Sequence, residues 1–220
     1  MIEKKIFTKF HKSTQRNYIS RMKNEKVLSM NRARKYDYDY WDGDRRYGYG
    51  GYKYIPGLLT PLAIKIIKEY NLDDNSSVLD AGCGKGFILY EIKKILPNIK
   101  ISGFDISRYA LKNSKKEIKQ YLFMHNIKNN FPFKKNSFDL VISFNCLHNL
   151  KIFDLKNALK EINRVGVKKF IVIEGYRDCN ELFNLQCWAL TAQAFFHKEE
   201  WLWIFRNFRY SGDYELIYFS

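Results

Sequence analysis

The chain has 220 residues, 46% of them hydrophobic and 17% aromatic, enough to bury a full core as one α/β domain plus an extension. Its 38 Lys and Arg against 23 Asp and Glu leave a formal net charge of +15, ordinarily a pointer to nucleic acid or an anionic surface. The lysines are scattered along nearly every expected helix, so a basic, solvated surface accounts for the charge, and nucleic acid is a partner the charge permits but does not favour. No run of about 18 apolar residues exists for a membrane span, and Met1 to Phe10 lacks the apolar stretch of a signal peptide, so a cytoplasmic protein is expected.

Residues 1 to 35 carry eleven Lys and Arg with weakly periodic apolar residues and read as a basic, partly helical arm. The plain reading is a solvated tail, and a partner-docking helix or an RNA contact are the alternatives. Residues 36 to 57 hold seven tyrosines, one tryptophan, five glycines and four aspartates. So many glycines are costly to order, and seven tyrosines are an odd choice for a linker, so this segment is expected to fold over something. Thr60-Pro61 supplies an N-cap and a proline for a helix with Leu62, Ile64, Ile66, Ile67 and Tyr70 on its apolar positions, ending near Asn71.

The next stretch, Val78-Leu79-Asp80-Ala81-Gly82-Cys83-Gly84-Lys85-Gly86-Phe87, is an apolar strand running through three glycines into an amphipathic helix. Glycine lets the backbone turn tightly and approach a ligand closely, and the helix start offers unpaired N–H groups. A dinucleotide fingerprint would need its third glycine at Phe87, and a Walker loop does not fit either. The string that fits is acidic-x-G-x-G-x-G, with Asp105 ending the following strand. From about Ser77 to Gly175 the chain resembles the class I S-adenosylmethionine-dependent methyltransferases.

The remaining elements follow in order. Helical spacing runs through Ile88, Leu89, Ile92, Ile95 and Leu96 to Pro97, and Lys100 to Asp105 is a second strand. Arg108 to Gln120 is expected as a helix, Tyr121 to His125 as a short strand, and Asp139 to Phe144 as a fourth, doubly buried strand. A helix over Asp154 to Val165, a strand over Lys168 to Ile173, helices over Glu181 to Phe196 and Lys198 to Phe208, and a last strand over Asp213 to Phe219 complete the chain. The expected fold is therefore a doubly wound, mostly parallel sheet with helices on both faces over residues 58 to 220. It is preceded by a basic arm and Tyr/Gly-rich lid over residues 1 to 57. The family usually closes its sheet with an antiparallel pair, of which only one strand is evident.

The resemblance implies the site. Asp80, Gly82, Gly84 and Gly86 would lie under the methionine part of S-adenosylmethionine, Asp105 and Ile106 at its ribose, and Asn126 and Ile127 at its adenine. Asn145 would lie near the transferable methyl. The segment before the first strand commonly serves as a lid in this family, which makes Tyr40, Trp41, Arg46, Tyr47 and Tyr49 acceptor-pocket candidates. Arg46 is the cation for an acidic group on the acceptor. In open α/β sheets ligands sit at the carboxyl ends of strands, which also puts His148 and Asn149 there. Trp188, Thr191 and His197 join the acceptor side by likeness to a group of bacterial small-molecule methyltransferases sharing the Tyr/Gly lead-in, the Leu147-His148-Asn149-Leu150 tip and the Gly212-Asp213-Tyr214-Glu215 strand.

The reaction read from these features is in-line methyl transfer to the oxygen or nitrogen of a small molecule, with His148, Glu174 or His197 as the base. An RNA- or protein-modifying enzyme docking through the arm, or a non-catalytic cofactor-binding subunit, is the alternative. Cys83, Cys146, Cys179 and Cys187 show no C-x-x-C pair and no zinc-type spacing, so they read as reduced thiols with no metal. If the lid alone makes the pocket, removing residues 1 to 30 should leave turnover of a small acceptor largely intact.

Overall fold

The computed structural model describes residues 1–50 and 52–220; Gly51, inside the Tyr/Gly segment, lies outside the described residues. Four short helices come first: α1 (Thr8–Lys12), α2 (Tyr18–Lys23), α3 (Lys26–Ala33) and α4 (Tyr38–Trp41). Then follow α5 (Thr60–Tyr70), β1 (Ser77–Ala81), α6 (Phe87–Ile95), β2 (Lys100–Asp105), α7 (Arg108–Lys112), β3 (Leu122–Met124) and β4 (Phe138–Phe144). The chain ends with α8 (Ile152–Val165), β5 (Gly166–Glu174), α9 (Cys179–Trp188), α10 (Lys198–Asn207) and β6 (Asp213–Ile217). The six strands make one sheet in the order β3-β2-β1-β4-β5-β6, every pair parallel.

Strand side chains alternate between two faces, and both faces are covered, which is why the strands read as apolar runs. Leu79, Val141, Ile171 and Ile173 share one core with Leu155, Leu159 and Ile162 of α8 and with Trp201 and Phe205 of α10. Val78, Leu140, Ile142, Phe170 and Val172 share the other with Leu62 and Ile66 of α5, with Leu89 and Ile92 of α6, and with Ile6 and Phe7. The sheet reverses direction of growth between β1 and β4, so the crevice for a ligand lies at their carboxyl ends.

Three expected elements come out differently. The helix expected to reach Gln120 stops at Lys112, because the side chains of Asn113 and Ser114 turn back onto the carbonyls of Tyr109 and Leu111 and compete with the helical ladder. The helix expected to reach Phe196 stops at Trp188. Beyond it the amides of Leu190 and Thr191 donate to the Tyr49 hydroxyl (2.6 and 3.2 Å), and those of Gln193 and Ala194 to the His148 carbonyl (2.9 and 3.0 Å). Donors that a helix would have used internally are spent across the site. The last strand is parallel to β5 rather than half of an antiparallel pair. Thr60 also departs from its expected capping role: its hydroxyl donates to buried Glu91 instead (2.6 Å).

The arm is docked. Lys4 N donates to Tyr214 O (2.8 Å) and Tyr214 N to Ile2 O (3.1 Å), so residues 2 to 4 cover the free edge of β6. The buried carboxylate of Glu215 then accepts the amides of Ile6, Phe7 and Thr8 at 2.6–2.8 Å, charge-assisted bonds that fix the start of α1.

Candidate active site

The glycine turn is a backbone device. Gly82, Gly84 and Gly86 have φ of +86°, +55° and +70°, a region that side chains make costly. The amides of Gly82 and Cys83 donate to the Phe104 carbonyl (2.9 and 3.0 Å), which folds the turn back onto β2. Asp105, at the end of β2, accepts Gly84 N on one oxygen and Ser107 N on the other, both at 2.8 Å. Burial raises its pKa and these amide bonds oppose the shift. A carboxylate oxygen accepts more than one hydrogen bond, so Asp105 keeps acceptor capacity while organising the loop.

Four buried oxygens at this end of the sheet have no hydrogen-bond partner: Asp80 Oδ1 near the end of β1, Asn145 Oδ1 and Asn149 Oδ1 beyond β4, and Glu174 Oε2 at the end of β5. Unpaired buried polar atoms are costly, and their concentration here marks a place built for a ligand. Asp80 is pushed up to about 8, first by burial and then by the charge of Asp105. Asn145 sits at φ +53°, a strained conformation for a side-chain-bearing residue, at the tip facing the glycine turn. Asn126 uses its side-chain oxygen locally, accepting Lys128 N (3.2 Å), while Ile127 is buried in the core and Ile106 is half exposed.

The Tyr/Gly segment lies over the loop. A Cβ built on Gly84 would stand 2.6 Å from Cη2 of Trp41, so this ring rests on the glycine itself. Trp41 Nε1 donates to Ser107 Oγ (2.8 Å) and the Tyr36 carbonyl (3.1 Å), and its ring packs against Tyr40 and Tyr52 with centroids 5.0 and 4.6 Å apart. Lys85, almost fully buried, clamps the segment through both oxygens of Asp42 (2.7 and 2.8 Å) and the Tyr52 carbonyl (3.0 Å), with Tyr109 also donating to Asp42 (2.9 Å).

On the other side, Tyr49 stacks with Trp188 (6.2 Å) and meets Thr191 Oγ1 at 3.2 Å. Beside them His148 and Glu174 are buried together. His148 Nδ1 accepts the backbone N–H of Glu174 (3.3 Å), and His148 Nε2 lies 3.4 Å from Glu174 Oε2. With Nδ1 accepting, the neutral ring carries its proton on Nε2 and points it at the carboxylate. Burial lowers the pKa of His148 and raises that of Glu174, the nearby charge of Arg16 partly offsetting the latter. Nδ1 of His148 is thus engaged while Nε2 only faces Glu174 Oε2, and the free acceptor of the pair is the Glu174 carboxylate.

The structure gives three other candidates different work. His197 begins α10: its Nδ1 accepts Glu199 N (3.3 Å) and its Nε2 meets the Arg177 carbonyl (3.0 Å), which leaves no ring lone pair for a base. Arg46 is neutralised by Glu25 (3.2 Å) and Asp44 (3.7 Å), and Tyr47 is sandwiched between Arg32 and Arg46 within the segment's own packing. Tyr36, Asp42, Tyr52, Lys85 and Ser107, which hold the roof in place, escaped the sequence reading because their contacts are long-range.

Residues 72–209 match the family described as a methyltransferase domain. The chain belongs to that family. S-adenosylmethionine is the family's cofactor, and the glycine turn, the acceptor capacity of Asp105 and the unpaired oxygens of Asp80, Asn145 and Asn149 fit it. The chain is 33% identical over 109 residues to mouse mitochondrial arginine-hydroxylase NDUFAF5, covering 50% of this chain and 31% of that protein. It is 31% identical over 121 residues to the ribosomal RNA small subunit methyltransferase C of Buchnera aphidicola, covering 50% and 36%. The chain thus spans about a third of the length of these curated relatives. Among solved structures, the geranyl diphosphate C-methyltransferase of Streptomyces coelicolor aligns with a TM-score of 0.55 at 12% identity, covering 69% of this chain and 60% of that one, which shows the fold. Among the described residues no helix is long and apolar enough to cross a membrane, and no group of His, Cys, Asp or Glu could hold a metal ion.

Proposed function

We propose that this chain is a cytoplasmic enzyme that transfers the methyl group of S-adenosylmethionine to an oxygen or nitrogen of a small molecule, with Glu174 as the base. The observation that carries the reading is the pairing of a buried, partly unpartnered carboxylate at the end of β5 with a roof of aromatic residues over the strand ends. A roof folded that closely suits a small acceptor better than a polymer.

When bound, the cofactor supplies a methyl group already activated by its sulfonium. The chain's own residues then have three tasks. Asp105 would accept the ribose hydroxyls, the Gly82–Gly86 turn would admit the methionine part, and Asn126 with Ile127 would meet the adenine. Tyr49, Trp188 and Thr191 would fix the acceptor, and holding a nucleophile in line can lower the barrier by ~7–11 kcal/mol in favourable cases. Glu174 would take the proton that the acceptor's hydroxyl or ammonium must lose, worth ~10²–10⁴-fold. His148 is a positioning residue: its Nε2–H aims at Glu174 while its Nδ1 is held by the Glu174 amide. A carboxyl pushed up to about 8 is a stronger base than an ordinary carboxylate and is still ionised in a useful fraction near neutrality.

The test is incubation of the protein with methyl-labelled S-adenosylmethionine and, separately, metabolite extract, total RNA and total protein. Label in a small metabolite, dependent on Glu174, is the expected result. Label in RNA alone, which the net charge of +15 would then help explain, would replace this reading with the docking one.

A further inference from the structure

Three arginines from different parts of the arm and lid converge on one ring. The guanidinium carbons of Arg16, Arg21 and Arg45 lie 5.4, 4.8 and 5.4 Å from the centre of Trp188, and Arg21 is also 5.5 Å from that of Tyr49. Each cation gains from the face of an aromatic ring, but three like charges around one ring repel. Among the described residues none of the three forms a salt bridge, whereas Arg32, Arg46, Arg164 and Arg177 each have a carboxylate. Their hydrogen bonds go to neutral groups. Arg16 donates to the carbonyls of His11 and Thr14 and faces the His11 ring, Arg21 donates to the carbonyls of Arg45 and Gly48, and Arg45 to that of Gly48.

Two of their nitrogens, Nε of Arg16 and Nε of Arg21, are buried with no partner at all, and Arg21 is only 9% exposed. Burying the Arg21 guanidinium, and part of that of Arg16, without a counter-charge is costly, and a fold keeps such groups beside exposed Arg45 where a ligand supplies the missing charge. Guanidinium is also the group whose planar donors match an oxyanion two at a time. The cluster is tied to the candidate base through Tyr49, which Arg21 faces and whose hydroxyl takes the amides of Leu190 and Thr191, next along the chain to the Gln193 and Ala194 amides that the His148 carbonyl accepts.

We infer that the acceptor carries an oxyanion, a carboxylate or phosphate, seated among Arg16, Arg21 and Arg45 beside Trp188, with its nucleophilic atom toward Glu174. This rests on the small-molecule reading above and names the acceptor's class. The arginines replace Arg46, whose charge is already met by Glu25 and Asp44. They orient the acceptor and take no part in bond making.

The experiment is calorimetry on the full chain, saturated with S-adenosylhomocysteine at physiological salt, using benzoate, phenyl phosphate and neutral benzamide as probes. At least one anion is expected to bind about tenfold or more tightly than benzamide, the size of one charge-assisted hydrogen bond, and the stronger of the two identifies the group. Arg45→Gln, at an exposed position, should shrink that preference with an unchanged melting temperature, as should Arg21→Gln if folded, whereas Arg32→Gln should leave it. Equal binding of all three probes, or a preference untouched by Arg45→Gln, would overturn the inference. Transfer of label to a neutral metabolite would sink the oxyanion and leave the methyltransferase reading standing. Failure of S-adenosylhomocysteine to bind would instead strike the cofactor site.

Discussion

The glycine turn and the proposed acceptor side are built by opposite means. Gly82, Gly84, Gly86 and Asp105 are near in sequence, and their geometry follows from backbone conformation: positive φ at each glycine and amides aimed at one carboxylate. The proposed acceptor side draws Arg16, Arg21, Tyr49, His148, Glu174 and Trp188 together from distant elements, through one tyrosine hydroxyl, one histidine and cations packed on an aromatic ring. A local device should tolerate change elsewhere in the chain. An assembled one should fail when any contributor is moved.

The largest effect should come from removing residues 1 to 30. The arm covers the edge of β6, anchors on Glu215, and brings Arg16 and Arg21 to Trp188. The expectation drawn from sequence, that turnover would survive this deletion, therefore reverses: methyl transfer should be lost and the melting temperature should drop. Retained turnover would return the arm to the status of a tail. Next, Asp105→Ala removes the acceptor of two amide bonds as well as the proposed ribose contact. Affinity for S-adenosylhomocysteine should fall by about tenfold to a hundredfold in calorimetry, with acceptor-side probes unaffected.

A smaller effect separates the halves more finely. Lys85→Met deprives Asp42 of its buried cation and loosens the roof, so amides of residues 36 to 50 should exchange faster by roughly tenfold. Unchanged exchange would mean that aromatic packing alone holds the segment. The smallest concerns pH. Asp80 is held up at about 8 and Glu174 likewise, so the folded protein binds these protons more tightly than the unfolded chain does. The stability this provides is complete below the ordinary carboxylate range and is lost as pH rises through about 8. Melting temperature should decline over that window, and Asp80→Asn should flatten part of the slope; an equally steep slope in the variant would remove Asp80 from the account.

What sequence revealed divides along the same line. The strands were legible because alternating apolar residues fill two cores, and the turn because glycine spacing reports positive φ directly. The ends of α7 and α9 were not, since Asn113 and Ser114 undercut one helix and the Tyr49 hydroxyl and His148 carbonyl take the donors of the other. The arginines around Trp188 looked like any other cations in a lysine-rich chain. Their convergence on one ring without a carboxylate partner sets them apart, and convergence is a tertiary property. His197 shows the converse: likeness to a group of small-molecule methyltransferases suggested an acceptor-side base, while its ring is used up in starting α10.

The assignment of Glu174 as the base, steadied by His148, is tested most directly by the pH dependence of single-turnover methyl transfer to the metabolite labelled by the wild-type protein. The rate should rise with pH along a single ionisation limb with its midpoint near 8 and a plateau above it, where Glu174 becomes fully ionised, and Glu174→Gln should be slower by about 10²–10⁴-fold with that limb gone. A Glu174→Gln variant that binds cofactor normally and transfers the methyl at the wild-type rate with the same pH profile would contradict the account.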